Sequence, residues 1–192
     1  MLFQQVENRT REITRSSPGH QTHLTFQYHP SETPSIDYVI SRGCVYIESV
    51  FRMMCDLTQE LPVVIPPRQI DVRCWRMESE QEQKAYVAAR NEAFPEIPVA
   101  LADWQNFLSS PAWQEGTTIT AFDGLEVAGS VTAYWDETIS HFTGNKAGYT
   151  EYIFVRAKWR KRKIAPYLIY QALLYLKEHG RNAAFLEVRA SN

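Results

Sequence analysis

No run of apolar residues in this chain approaches the length of a bilayer-crossing helix, and the opening stretch "MLFQQVENRTREITR" lacks the apolar core of a secretory signal. The expectation is a cytoplasmic protein with no membrane partner. Cysteine is scarce: Cys44, Cys55 and Cys74 are the only three. Their number is odd and their spacing matches no zinc pattern, so reduced, partly buried thiols are expected rather than a disulfide framework. The five histidines form no ligand constellation; His23 and His29 could share a strand face, but a third ligand is missing, so no metal is expected. Positive charge is not in excess either. Twenty Lys and Arg stand against 22 Asp and Glu, a net charge of −2, whereas a dedicated nucleic-acid binder is usually basic throughout. What is present is the composition of a globular protein with a core, 44% hydrophobic and 22% charged over 192 residues. That length suits one ordinary domain, or one domain plus a piece of another.

Hydrophobic periodicity divides the chain into elements. Residues 3–14 predict a short helix, stopped at Ser16-Ser17-Pro18-Gly19. "HLTFQYH" alternates and predicts a strand, and "PSETPSIDYVISRG" predicts a helix ending at Gly43. "CVYIESVFRMMCDL" is rich in β-branched and aromatic residues and predicts one or two strands. Pro62, Pro66 and Pro67 then mark a stiff linker over 61–69. Beyond it the pattern restarts. "IDVRCWRM" predicts a strand, and a helix follows with Ser79 as N-cap and Gln83 near the capping-box position. A weaker helix carries Leu101, Trp104, Phe107 and Leu108 on one face. Asp123-Gly124 centres a hairpin, "GYTEYIFV" predicts a strand, and residues 165–179 have the strongest helical period, with Pro166 in the first turn and Gly180 at the end. "AAFLEVR" predicts the last strand.

The most informative stretch is "FVRAKWRKRKIA", residues 154–165. It leaves an apolar strand, passes six basic residues in eight positions, and enters the strongest helix. A helix N-terminus offers unpaired N–H donors and partial positive charge, a ready anion site. A nucleotide cofactor, a nucleic acid or solvent alone could occupy such a loop. Nucleic acid fits least well, because overall basicity is lacking and Trp159 is the only interleaved aromatic residue.

The element order from residue 70 resembles the GNAT superfamily of acyl-CoA-dependent N-acetyltransferases. That family places Arg or Gln, two residues, Gly, one residue, then Gly or Ala between a strand and a helix. Arg160-Lys161-Arg162-Lys163-Ile164-Ala165 falls in that register, with Lys163 where the pattern has Gly. "TEYIFVRAKWRKRKIA" is similar to tandem GNAT proteins related to mycothiol synthase. The resemblance implies an α/β (α+β) fold with a mixed, mostly antiparallel sheet flanked by helices. It also implies three parts: residues 1–60 as the back half of one unit, 61–69 as linker, and 70–192 as the front of a second, C-terminally incomplete unit.

Acetyl-CoA is the implied cosubstrate. Ile153, Phe154 and Val155 would face its pantetheine arm, and Arg160, Lys161, Arg162, Lys163, Ile164 and Ala165 its pyrophosphate. Asn192 matches an asparagine that bonds the arm. Glu151 is the implied general base; strict alternation puts it on the strand face opposite Phe154. The equally open alternative for Glu151 is a surface glutamate in a cross-strand pair. The family's tyrosine acid has no counterpart: the corresponding place in the first unit holds Val39, with Tyr38 one position off. The implied activity is acetyl transfer to a small-molecule or peptide amine; the alternative is an inactive fragment that binds CoA or a protein. Trp104, Phe107, Trp113, Tyr134 and Trp135 could line an acceptor pocket or simply pack a core. Glu92, Glu96 and Asp103 could attract an amine. Because a sheet ending at 184–189 would leave an open edge, residues 33–55 are expected to complete it, within one chain or by exchange in a homodimer.

Overall fold

The computed structural model describes residues 2–16, 23–137, 140–141 and 146–190. The chain divides into two compact units, Met1–Ile47 and Glu48–Asn192. In the first, helices α1 (Leu2–Ser16) and α2 (Thr33–Ser41) carry a small aromatic cluster. Phe3 stacks on Phe26 at 5.4 Å and meets Tyr38 edge-on at 5.6 Å. Helix α2 ends at Gly43, whose φ of +89° is the left-handed stop expected there. The strand expected at 23–29 does not form. That segment has no ladder partner among the described residues, and its aromatic residues stack instead, Phe26 on Tyr28 at 6.1 Å.

The second unit is one six-stranded sheet with helices on both faces. Its strands are β1 (Val50–Asp56), β2 (Asp71–Trp75), β3 (Thr117–Asp123), β4 (Glu126–Tyr134), β5 (Ala147–Val155) and β6 (Ala183–Arg189). They lie in the order β1-β6-β5-β4-β3-β2, and every neighbouring pair is antiparallel except β5–β6. The unit therefore begins at Glu48, ahead of the proline-rich 61–69, because β1 pairs with β6 in seven consecutive positions from Val50↔Arg189 to Asp56↔Ala183. Leu57 follows β1 into the core, is 1% exposed, and donates its N–H to the Asn182 carbonyl at 2.9 Å. The strand is shorter than "CVYIESVFRMMCDL" suggested, since residues 44–49 join no ladder.

One face of the sheet is covered by α5 (Ile164–Glu178), which buries Ile164, Leu168, Ala172 and Leu176 against Ile119, Val131 and Ala133. These four residues recur every fourth position and so form a single ridge on the helix. The other face is covered by α3 (Glu80–Ala93) and α4 (Leu101–Leu108), with Tyr86, Trp104, Trp113, Phe122 and Phe154 in the layer between. Helix α3 starts with a capping box in which Ser79 accepts from the Glu82 N–H while Glu82 accepts from the Ser79 N–H. Glu82, not Gln83, stands at the third helical position and closes the box. Between β3 and β4 the turn is Gly124-Leu125, with Gly124 at φ +62°. No helix among the described residues is long and apolar enough to cross a membrane.

Candidate functional site

The site is built where β5 and β6 part. The two strands pair only over Ala147–Tyr149 and Ala183–Phe185. The Thr150 hydroxyl donates to the Phe185 carbonyl at 3.3 Å, the last link before they separate. Beyond it, among the described residues, β5 pairs only with β4, and β6 only with β1, so a wedge opens between neighbouring strands of one sheet.

A bulge aims the side chains of β5 at this wedge. Its register against β4 runs Ser130↔Phe154 and then Thr132↔Glu151, so one extra residue sits on β5. Tyr152 absorbs it with φ +49°. Gly129 makes the close approach possible, since a Cβ there would lie 2.6 Å from the Phe154 carbonyl oxygen. The bulge corrects the alternation argument: Ser130 and Thr132 share a face, so Glu151 and Phe154 do too. Glu151 lies half-buried beside Tyr134, which stacks on Tyr149 at 5.6 Å. Burial pushes the Glu151 carboxyl above its ordinary range; Tyr134 opposes this, and the Glu187 carboxylate adds to it. Burial and the nearby Glu151 carboxylate raise Tyr134 strongly, so that phenol keeps its proton.

At the end of β5 the chain makes a short 3-10 turn over Ala157–Trp159 and reaches α5 through the basic loop. Half of the loop's cations are spent on structure. Arg156 pairs with Glu92, Lys158 with Glu126 at 3.0 Å, and Arg162 with Asp123 at 3.7 Å. Trp159 is 1% exposed and donates its indole N–H to Asp123 at 2.8 Å, so it is a core residue and no platform for a base. Arg160 is fixed by its Nε–H donating to the Val155 carbonyl at 3.0 Å. The side chains of Lys161 and Lys163 have no partner among the described residues. Both adopt left-handed conformations, Lys161 at φ +63° and Lys163 at φ +60°, ψ +22°. Lys163 is left-handed and Ile164 begins the right-handed helix, and such a left–right step turns successive N–H groups toward one point, an anion-binding concavity at the α5 N-terminus. Among the described residues no backbone carbonyl accepts from the N–H of 161, 162 or 163.

A groove of about 210 Å³ joins these parts. Ile153, Phe154, Val155, Arg160 and Ala165 line it, together with Ala93 and Phe94 at the end of α3, which sequence reasoning did not single out. Ile164 is 2% exposed in the core under α5, so only its backbone can face an anion. Asn192 lies outside the described residues. A larger open groove of about 590 Å³ lies at the other end of α3, around Gln83, Gln105 and Trp113; no part of β5 lines it. Of the aromatic residues considered for an acceptor pocket, Trp104 and Trp113 are core and Trp135 packs against Tyr175 and His179 on the opposite face. Phe107 and Tyr134 do approach the wedge and touch each other at 5.4 Å. Glu92 is engaged by Arg156, while Glu96 and Asp103 are exposed outside the groove lining.

Residues 75–192 match the sequence model of the acetyltransferase (GNAT) family. No curated protein sequence matches the chain significantly. Among solved structures, a GCN5-related N-acetyltransferase from Sphaerobacter thermophilus superposes with a TM-score of 0.65 at 20% identity, over 84% of this chain and 49% of that one. A tandem GNAT protein from the clavulanic acid biosynthesis pathway gives 0.66 at 13% identity, over 95% of this chain and 59% of its own. An aminoglycoside acetyltransferase from an uncultured soil metagenomic sample, solved with sisomicin, gives 0.53 at 13% identity over 64% and 80%. The chain thus spans about half the length of the Sphaerobacter protein. At these identities the likeness is one of fold, and the mixed sheet with helices on both faces is the fold expected from the sequence.

Proposed function

We propose that this chain, which belongs to the acetyltransferase (GNAT) family, moves an acetyl group from acetyl-CoA to an amine in the wedge between β5 and β6. The observation that carries this reading is where left-handed backbone occurs outside glycine. Five such residues are described, and Tyr152, Lys161 and Lys163 are three of them. Each costs about 1–2 kcal/mol relative to ordinary backbone, and strain of this kind gathers where function requires it.

The two halves of the site have different tasks. The concavity at 161–163, the α5 N-terminus and the uncommitted Lys161 and Lys163 side chains suit a pyrophosphate. The groove along Ile153–Val155 suits an extended arm, with Phe94 as its apolar wall. Acetyl-CoA would supply the acyl thioester there. Amide formation makes one C–N bond, breaks the C–S bond so that CoA leaves as its thiolate, and frees a proton from the amine, which Glu151 takes in this reading. Its raised pKa suits a base working nearer neutrality than an ordinary carboxylate.

Two assays test this on the full chain: acetyl-CoA binding by calorimetry, and thiol release over an amine panel. Lys163→Gly is expected to bind acetyl-CoA several-fold more tightly, because glycine adopts the observed φ of +60° without strain and leaves room for a phosphate. Relief of about 1 kcal/mol should also raise Tm by about 2–4 °C. Weaker binding in this variant would instead make the Lys163 ammonium a phosphate ligand. Arg160→Ala should weaken binding, and Arg162→Ala, already paired with Asp123, should weaken it less. Absence of acetyl-CoA binding by the wild type would refute the reading.

A further inference from the structure

Glu151 and Glu187 stand on opposite lips of the wedge. The last paired positions of β5 and β6 are Tyr149 and Phe185. Each glutamate lies two residues further along its strand, so both point to the face that carries Tyr149 and Phe185. On β1 the residue directly opposite Glu187 is Arg52. Its Nε–H and Nη2–H both donate to the same oxygen, Glu187 Oε1, at 3.0 and 2.6 Å. The guanidinium also lies 5.9 Å from the Phe185 ring centroid. The other oxygen, Glu187 Oε2, accepts from no described residue. Rings continue along the same face, Phe185 to Tyr149 at 6.1 Å and Tyr149 to Tyr134 at 5.6 Å.

We infer that Glu187, held by Arg52 across the wedge from Glu151, selects a cationic amine as acceptor. Its second oxygen takes a hydrogen bond from the ammonium on binding, and the rings of Tyr149 and Phe185 take an apolar substituent. Glu151 then takes one proton to free the nitrogen lone pair, the C–N bond forms as the C–S bond breaks, and the nitrogen's second proton goes to the departing CoA thiolate. The inference rests on the wedge being the acetyl-transfer site. Charge decides between this and an anionic acceptor. The guanidinium fork already has two donors on Glu187, whereas Glu187 Oε2 accepts from no described residue. Glu187 therefore binds the acceptor directly, and Arg52 is the residue that positions it. The second unit's acceptor side is then completed by a strand that precedes the proline-rich stretch.

Charge coupling gives the pair a second signature. The titratable and charged groups around Glu151 are Tyr134 from β4, Tyr149 and Tyr152 on β5, Glu187 from β6 and Arg52 from β1, while Arg90 of α3 acts on Tyr152. Removing the Glu187 charge lowers the Glu151 pKa, and removing Arg52 leaves that charge uncompensated and raises it.

The test compares phenethylamine, protonated at neutral pH, with aniline, which is uncharged. Glu187→Gln should raise KM for phenethylamine about tenfold, the loss of one charge-assisted hydrogen bond, and leave aniline within about twofold. Arg52→Ala, on an exposed edge strand, should raise KM for phenethylamine, because Glu187 loses the fork that holds it, and move the acid limb of the pH profile upward. Equal changes for both amines in Glu187→Gln, or an unchanged phenethylamine KM in Arg52→Ala, would overturn the inference. Binding of phenethylamine to the full chain, followed by NMR without acetyl-CoA, separates the two levels. Charge-selective binding without turnover would sustain the acceptor site and sink the acetyl-transfer reading. Turnover without charge selectivity would do the reverse, and neither binding nor turnover would remove both.

Discussion

Glu151→Gln is expected to lower kcat roughly 10²–10⁴-fold, the range a positioned general base contributes, while acetyl-CoA affinity stays near the wild-type value. Gln keeps the size of the side chain and its contact with Tyr134 but cannot accept the amine's proton. Stability separates this from damage to the fold. Burial raises the Glu151 pKa in the folded chain, so the native state holds this proton to higher pH than the unfolded chain does. The group's contribution to stability therefore falls as pH rises from the ordinary carboxylate range through the raised native pKa. Gln has no charge to desolvate, and at neutral pH the variant should melt no lower than wild type. Wild-type kcat/KM should fall as pH drops through the same raised pKa. Near-normal turnover in the variant would place the base elsewhere.

Removing residues 1–60 is expected to abolish cooperative unfolding, whereas removing 1–47 should preserve it. The shorter deletion stops at the boundary of the second unit. The longer one removes β1, strips seven paired positions from β6 and empties the core position of Leu57. Truncating a buried leucine alone costs about 2–5 kcal/mol, against a whole-domain stability of about 5–15 kcal/mol. Lys177 would also lose the Gln59 carbonyl, to which it donates at 2.6 Å. Calorimetry of both fragments decides. A soluble 61–192 fragment with a sharp melting transition would show that β1 is dispensable.

Much of this fold is written in local chemistry. Gly124 marks its turn, Ser79 and Glu82 start α3, and the fourfold spacing from Ile164 to Leu176 sets the face of α5. The basic loop before α5 was equally visible, because cations next to a helix start are a local signal. Long-range geometry was not. Nothing in the residue types around Tyr152 announces a bulge, so alternation put Glu151 on the wrong face. Trp159 reads as an exposed aromatic among cations until Asp123, 36 positions earlier, is seen to take its N–H. The strand expected at 23–29 has the right alternation and no ladder partner among the described residues. Arg52 and Glu187 are 135 positions apart, and only the β1–β6 register joins them. The left-handed state of Lys163 lies between these cases: its position is legible, its conformation is not.

NMR titration of the full chain with acetyl-CoA tests the central claim most directly, because it reports place as well as affinity. The account predicts saturable shifts at the amides of 153–155 and 161–165, weakened by salt because phosphate contacts are screened. Shifts confined to the groove around Gln83 and Gln105, or no saturable shifts, would contradict it.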